Sequence, residues 1–368
     1  MMTSRRRFVQ AAAAAGALSS FPASLFAGEK AAKPLRLLIL GGTGFIGPHE
    51  INYALARGHE VTMFNRGKTA PDMFPNVERL IGDRDGQLDA LKGREWDAVI
   101  DNSGFFPRLA QMSAELLHGN VGQYLFVSSI SAYGEALAVG DDEFTAPPAT
   151  MEMPVDESEH IYGPNYGARK RLCEQEISEV FGDKAINVRP GIITGPGDPT
   201  NRLRHWLARL VAGKDILVPG PKDWPVQYID ARDLSGWMVR LVENGATGPY
   251  NAVGVEKPYH AEPLLNRLKA AAESTSDFAW VDWGWLTAEL ETEPRYSPWF
   301  PGDFSPFMQV NNDRALATGL TFRPIEATAK DMIALLDGGG IDTERGELSL
   351  EKEAELVERW HAHSARAG

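Results

Sequence analysis

The stretch LRLLILGGTGFIG, residues 35–47, decides the fold. Residues 35–40 are apolar apart from Arg36, the pattern of a strand buried on both faces of a parallel sheet. Three glycines follow at spacings of three: Gly41, Gly44 and Gly47. Gly41 permits a tight turn, Gly44 lets the backbone approach a pyrophosphate, and Gly47 lets the next helix pack close to the sheet. That helix then turns its free N–H groups toward the phosphates. Thr43, Phe45 and Ile46 complete the set of loop residues expected to contact a dinucleotide.

Outward from this turn, strands and helices alternate. A helix runs to about Arg57 and Gly58 closes it. Strands are expected at 60–64, 77–81, 98–101 and 124–128, a helix at 108–118, a long helix at 162–181, and a strand at 185–188. The fold class is α/β, a Rossmann-type doubly wound parallel sheet. It occupies residues 35–191. Residues 192–345 read as a smaller, mixed, C-terminal substrate-binding lobe built from 192–212 and 249–311. Helices at 231–242 and 327–336 are expected to return to the main domain. Residues 346–368 form a charged, helix-prone tail.

The end of the second strand bears on cofactor choice. NAD binders usually carry an acid there for the ribose 2′-hydroxyl. This chain reads NRGK, residues 65–68. Arg66 and Lys68 suit a 2′-phosphate and Asn65 removes the repelling carboxylate, so NADP is favoured over NAD. Asp83, after the third strand, is placed to bond the adenine amino group or to cap a turn.

The segment YGARK, residues 166–170, puts Tyr166 and Lys170 on one helix face. A neighbouring ammonium stabilises a phenolate. Such a phenolate beside a nicotinamide accepts a hydroxyl proton while hydride leaves the same carbon. Ser129, at the end of the fifth strand, is placed to orient the substrate oxygen. Phe105, Tyr162 and Trp299 are the expected substrate-side residues. Trp280, Trp283, Trp285 and Phe300 fit either a sugar-stacking wall or core packing.

Composition narrows the rest. The chain is 43% hydrophobic and 24% charged with a formal net charge of −13, which argues against a nucleic-acid partner. The one cysteine, Cys173, excludes an internal disulfide and a cysteine-based metal site and reads as a core thiol. His160 and His205 lack ligand spacing, so no metal is expected. Residues 4–10, SRRRFVQ, followed by an Ala-rich apolar stretch, resemble a twin-arginine export signal covering residues 1–27. The expected location is periplasmic, with membrane contact only through that signal.

Five segments together resemble the extended short-chain dehydrogenase/reductase family, in its NAD-dependent epimerase/dehydratase branch. They are residues 41–47, VSSISAYG at 127–134, YGARK at 166–170, RPG at 189–191 and QYIDARD at 227–233. The resemblance implies an NAD(P)-dependent oxidoreductase or epimerase acting on a secondary alcohol of a sugar-like small molecule, with Ser129, Tyr166 and Lys170 as its catalytic trio. Sugar-nucleotide members carry an arginine where this chain has Val226. The NRG turn is closer to an atypical branch with RNA-binding relatives, so the alternative is a non-catalytic binding protein on a Rossmann scaffold. The assembly state is open, with a homodimer among the options.

Overall fold

Seven parallel strands make the main sheet: β1 (Arg36–Leu40), β2 (Glu60–Asn65), β3 (Glu78–Ile81), β4 (Trp96–Asp101), β5 (Val121–Val127), β6 (Ala185–Pro190) and β7 (Gly248–Ala252). They belong to a computed structural model that describes residues 30–255, 259–290, 305–336 and 348–367. Leu37, Leu38, Ile39 and Leu40 are at most 1% exposed, so β1 takes partners on both edges, β2 on one and β4 on the other. The spatial order is β7-β6-β5-β4-β1-β2-β3. Chain order therefore reverses between β1 and β4. A ligand crevice opens at such a switch point, outside the carboxyl ends of the strands.

The longer helices that accompany this sheet are α1 (Gly47–Arg57), α2 (Pro107–Leu117), α3 (Tyr166–Phe181) and α4 (Ala231–Glu243). α1 ends at Gly58, whose φ of 93° is the left-handed C-cap a glycine adopts without strain. Ala110, Ala114 and Leu117 of α2 join Cys173, Ile177 and Phe181 of α3 in one core with Leu38, Leu40, Tyr124 and Phe126 of the sheet. Cys173 lies fully inside that core and burial pushes its thiol up to about 12, so it stays a thiol.

The chain divides into two units. Among the described residues, the first holds 30–191, Ala231–Val253 and Val310–Thr321. The second holds the described residues of Ile192–Asp230, of Gly254–Gln309 and from Phe322 onward. The second has short paired strands, Ile192–Thr194 with Tyr228–Asp230 and Ile216–Pro219 with Phe278–Val281. Its core gathers Trp206, Leu264, Leu286, Ile325 and Leu356. Its charged terminal helix, Leu350–Ala367, is anchored by a buried ion pair, Glu353 to Arg209 at 2.7 Å.

Three expectations change. Gly248–Ala252, assigned above to the lobe, is the seventh strand of the main sheet, paired with β6. The helix Ile325–Ala334 does not return to the main domain, because Ile325, Ala329 and Met332 fill the second core. The long helix begins at Tyr166, not Tyr162, because Gly163 precedes Pro164 and a residue before proline is turned away from helix. Residues 1–27 lie outside the described residues, as do Trp299 and Phe300.

Candidate active site

The first turn after β1 fits a dinucleotide. Gly41 and Gly42 have φ of 107° and 85°, open to glycine without strain. A Cβ on Gly47 would stand 2.6 Å from the Gly42 backbone, so the third glycine lets α1 start against the turn itself. A Cβ on Gly44 would meet nothing within 4 Å, which leaves that backbone approachable by a diphosphate. Thr43 is buried, and Phe45 and Ile46 complete the turn.

Asn65, at the end of β2, does more than avoid a charge. Its Nδ2 donates to Gly41 O at 2.9 Å and its Oδ1 accepts from Gly67 N at 2.9 Å. It staples the second strand to the glycine turn, its amide donating with one atom and accepting with the other. Arg66 and Lys68 beside it are exposed, without an ion pair among the described residues. Asp83 caps a turn, its Oδ1 accepting from Asp85 N at 3.2 Å while its backbone bridges Gln87.

That turn carries a residue the sequence did not single out. Arg84 is buried and donates to Asp101 Oδ1 at 2.7 Å and to Ser113 Oγ at 2.5 Å. Asp101, at the end of β4, also accepts from Tyr124 OH at 2.7 Å and Ser103 N at 2.9 Å. Burial opposes its ionisation, but the Arg84 charge and hydrogen bond outweigh it and hold the carboxyl below its usual range. The ion pair thereby fixes the segment that follows β4.

That segment reaches Lys170. Its Nζ is buried and donates to Gly104 O at 2.7 Å and Val127 O at 2.6 Å. It also sits 4.2 Å over the Phe126 ring and 5.1 Å from the Phe105 ring centre. Burial lowers its pKa to about 8. Two of its three donors are thus taken by the backbone of Gly104, in the segment after β4, and of Val127, the last residue of β5, leaving one for another acceptor.

Ser129 lies two residues beyond β5. It caps the short turn Ile130–Ala132, accepting from Ser131 N at 3.1 Å, and its own O–H remains a donor. Gly167 brings Tyr166 to this turn. A Cβ on Gly167 would fall 1.9 Å from Ser131 O, so α3 starts hard against the Ser129 turn and no side chain fits between them. Tyr166 is the first residue of α3 and half-buried.

Tyr162 stands in the loop before α3, 66% exposed. Its ring centre is 5.6 Å from that of Tyr166 and 5.8 Å from that of Phe105. Phe105, Tyr162, Tyr166 and Lys170 therefore form one chain of contacts. Arg169, next to Lys170, holds the loop by donating from Nη2 to His160 O at 2.8 Å and Ile161 O at 3.1 Å. Its guanidinium lies 4.7 Å from the Phe106 ring centre. Arg189 pairs with Glu174 at 2.6 Å and donates to Tyr133 OH at 2.9 Å, tying β6 to α3. The described tryptophans are not part of this group. Trp280, Trp283 and Trp285 pack on the second core, and Trp285 lies 5.0 Å from Trp360.

A glycine turn at the sheet's switch point, with a Tyr–Lys helix beside it, defines a Rossmann domain of the NAD(P)-binding class. The chain belongs to the NAD dependent epimerase/dehydratase family, whose profile matches residues 37–253. It is 26% identical over 254 residues to a dTDP-4-dehydro-6-deoxy-D-allose reductase of Streptomyces bikiniensis, across 60% of this chain and 76% of that one. It is also 26% identical over 226 residues to the chloroplast stem-loop binding protein of 41 kDa b of Arabidopsis thaliana, across 57% and 55%. Among solved structures it resembles WbmG of Bordetella bronchiseptica, solved with NAD and UDP (TM-score 0.60, 15% identity, 84% and 96% covered). The human epimerase family protein SDR39U1, solved with NADPH, is similar too (TM-score 0.56, 20% identity, 81% and 99% covered).

Proposed function

We propose that this protein is an exported, NADP-preferring oxidoreductase or epimerase that acts on a secondary alcohol or ketone of a sugar-like substrate, with Tyr166 as its acid and base. The observation that carries this reading is the Gly167 contact, which seats Tyr166 beside the turn capped by Ser129. A bound nicotinamide supplies the hydride acceptor and donor. Tyr166 takes or returns the hydroxyl proton, and Ser129 donates to the substrate oxygen and orients it. Lys170 offers its third N–H to the cofactor ribose, and its charge favours the phenolate. Phe105 and Tyr162 wall the reacting carbon. The preference for NADP rests on Arg66 and Lys68, exposed where a 2′-phosphate is expected.

Export rests on the residues 4–10 pattern. The twin-arginine route carries folded proteins, so a cofactor loaded in the cytoplasm travels inside. Outside there is no expected pool of free NADP, so the nucleotide must be regenerated in place, either by epimerisation or by a second substrate. The acidic chain and the retained Tyr166 and Lys170 weigh against a nucleic-acid-binding role.

Protein recovered from the periplasmic fraction should release close to one NADP(H) per chain on denaturation, identified by mass spectrometry. Recovery from the cytoplasm alone, or protein free of nucleotide with Kd in the millimolar range, would contradict the reading.

A further inference from the structure

Glu50 lies in the first turn of α1, three residues past Gly47, and is fully buried. Its Oε2 accepts from Asn102 Nδ2 at 2.5 Å. Its other oxygen, Oε1, and Asn102 Oδ1 are both closed off from solvent and have no hydrogen-bond partner among the described residues. Two leftover acceptors on two groups already joined fit one chemical arrangement, a carboxylic acid facing an amide. With its proton in place, the acid donates O–H to the amide oxygen and accepts the amide N–H, so both orphan atoms are satisfied. Ionised, it closes one bond and leaves a buried charge beside an unpaired oxygen, which is costly.

Among the described residues no neighbouring charge shifts this carboxyl. On α1 the titratable groups are His49, Tyr53 and Arg57, and Arg57 is paired with Glu243 of α4. α4 also carries Arg232, Asp233 and Arg240, and β2 carries Glu60. Across the end of β4, Asp101 is paired with Arg84. None of these contributes to the shift at Glu50: burial pushes its carboxyl up to about 7, and only the Asn102 bond opposes it.

The pair sits against the glycine turn. Asn102 N donates to Leu40 O at 3.1 Å, and a Cβ on Gly41 would lie 3.7 Å from Asn102 Cβ. We propose that Glu50 is a neutral acid bonded twice to Asn102, and that its proton is linked to the dinucleotide, so that cofactor affinity falls as Glu50 ionises. The proposal rests on this turn being the dinucleotide site. The free N–H groups and dipole of the first turn of α1 stabilise an anion. An ionised Glu50 would compete with the diphosphate for that field and repel it. A neutral Glu50 leaves the field to the ligand. Binding above the range of the acid then takes up a proton.

The test compares wild type with Glu50→Gln, which keeps both hydrogen bonds and cannot ionise. Infrared difference spectra of the nucleotide-free proteins at about pH 6 should show a protonated carboxyl band in the wild type only, fading as pH rises. Between about pH 6 and about pH 8.5, the wild-type Kd for NADP should rise about tenfold more than that of Glu50→Gln. Calorimetry at about pH 8 in two buffers of different ionisation enthalpy should show proton uptake that the variant lacks. Titration of Lys170 and of the 2′-phosphate is common to both proteins and drops out of the comparison.

Absence of the acid band at about pH 6, or equal pH dependence of the two Kd values, would overturn the proposal. If the band is present but no nucleotide binds at any pH, the dinucleotide reading and the linkage both fall, while the acid–amide pair stands.

Discussion

Two helices of the first unit begin in the same way, and only one advertises it. α1 starts against the turn after β1, where Gly47 meets the Gly42 backbone; α3 starts against the turn after β5, where Gly167 meets Ser131 O. In the first case the two partners are five residues apart and form a motif. In the second they are 36 residues apart and look unrelated in the chain. The comparison teaches that a glycine is needed where a helix start must touch a strand end. The contact is readable only when both sides lie within one local stretch.

The largest expected effects come from filling those gaps. Gly47→Ala drives a methyl into backbone 2.6 Å away and should abolish nucleotide binding in a fluorescence titration. Gly167→Ala should cut turnover by about 100-fold or more while nucleotide Kd stays within about threefold, because α3 must retreat from the Ser129 turn. An ordinary helical Gly→Ala change would instead stabilise the protein by about 1 kcal/mol. A raised melting temperature with full turnover would show that the close approach to Ser131 is not needed.

Next in size is the tie that Lys170 makes between the segment after β4 and the end of β5. Lys170→Met leaves Gly104 O and Val127 O without their donor and should lower turnover by about 100-fold or more. The pH behaviour has a definite sign. The folded ammonium has a pKa lowered to about 8 by burial, below its unfolded value. Between about pH 8 and the unfolded value near ~10.4, the unfolded chain holds a proton that the folded chain has lost. This group's contribution to stability therefore rises with pH across that window, while turnover falls as the charge is lost. Denaturant melts and initial rates measured over the same pH series check both signs.

Smaller effects are expected at the second strand. Asn65→Asp places a carboxylate against Gly41 O in place of a donor. It should weaken both NAD and NADP by about tenfold, roughly 1–2 kcal/mol. Joint replacement of Arg66 and Lys68 by Ala should lower the NADP-over-NAD preference by about tenfold and leave stability within about 0.5 kcal/mol, because both are exposed. An unchanged preference would remove these two residues from cofactor choice.

What was legible in the chain follows the same rule of locality. The glycine turn, β1, Gly58 and the Tyr166–Lys170 spacing are contained within short windows, and each is found as a unit. The Arg84–Asp101 pair spans 17 residues and the Glu50–Asn102 pair spans 52, with nothing in either window to match donor to acceptor. β7 joins the sheet only after the chain has built part of another unit, so its address is set by pairing with β6, not by its own pattern. The start of α3 is not legible in the chain, because aromatic and apolar spacing continues back to Tyr162 while Pro164 interrupts the backbone. The ring centre of Tyr162 nonetheless lies 5.6 Å from that of Tyr166.

The claim on which the rest depends is that the phenol of Tyr166 moves the proton at this cleft. Tyr166→Phe removes one hydroxyl and keeps the ring against Tyr162. On a sugar or glycoside that the wild type turns over, the variant should be slower by about 100- to 10,000-fold, with nucleotide Kd within about twofold of wild type. A variant that turns over at the wild-type rate would contradict the account.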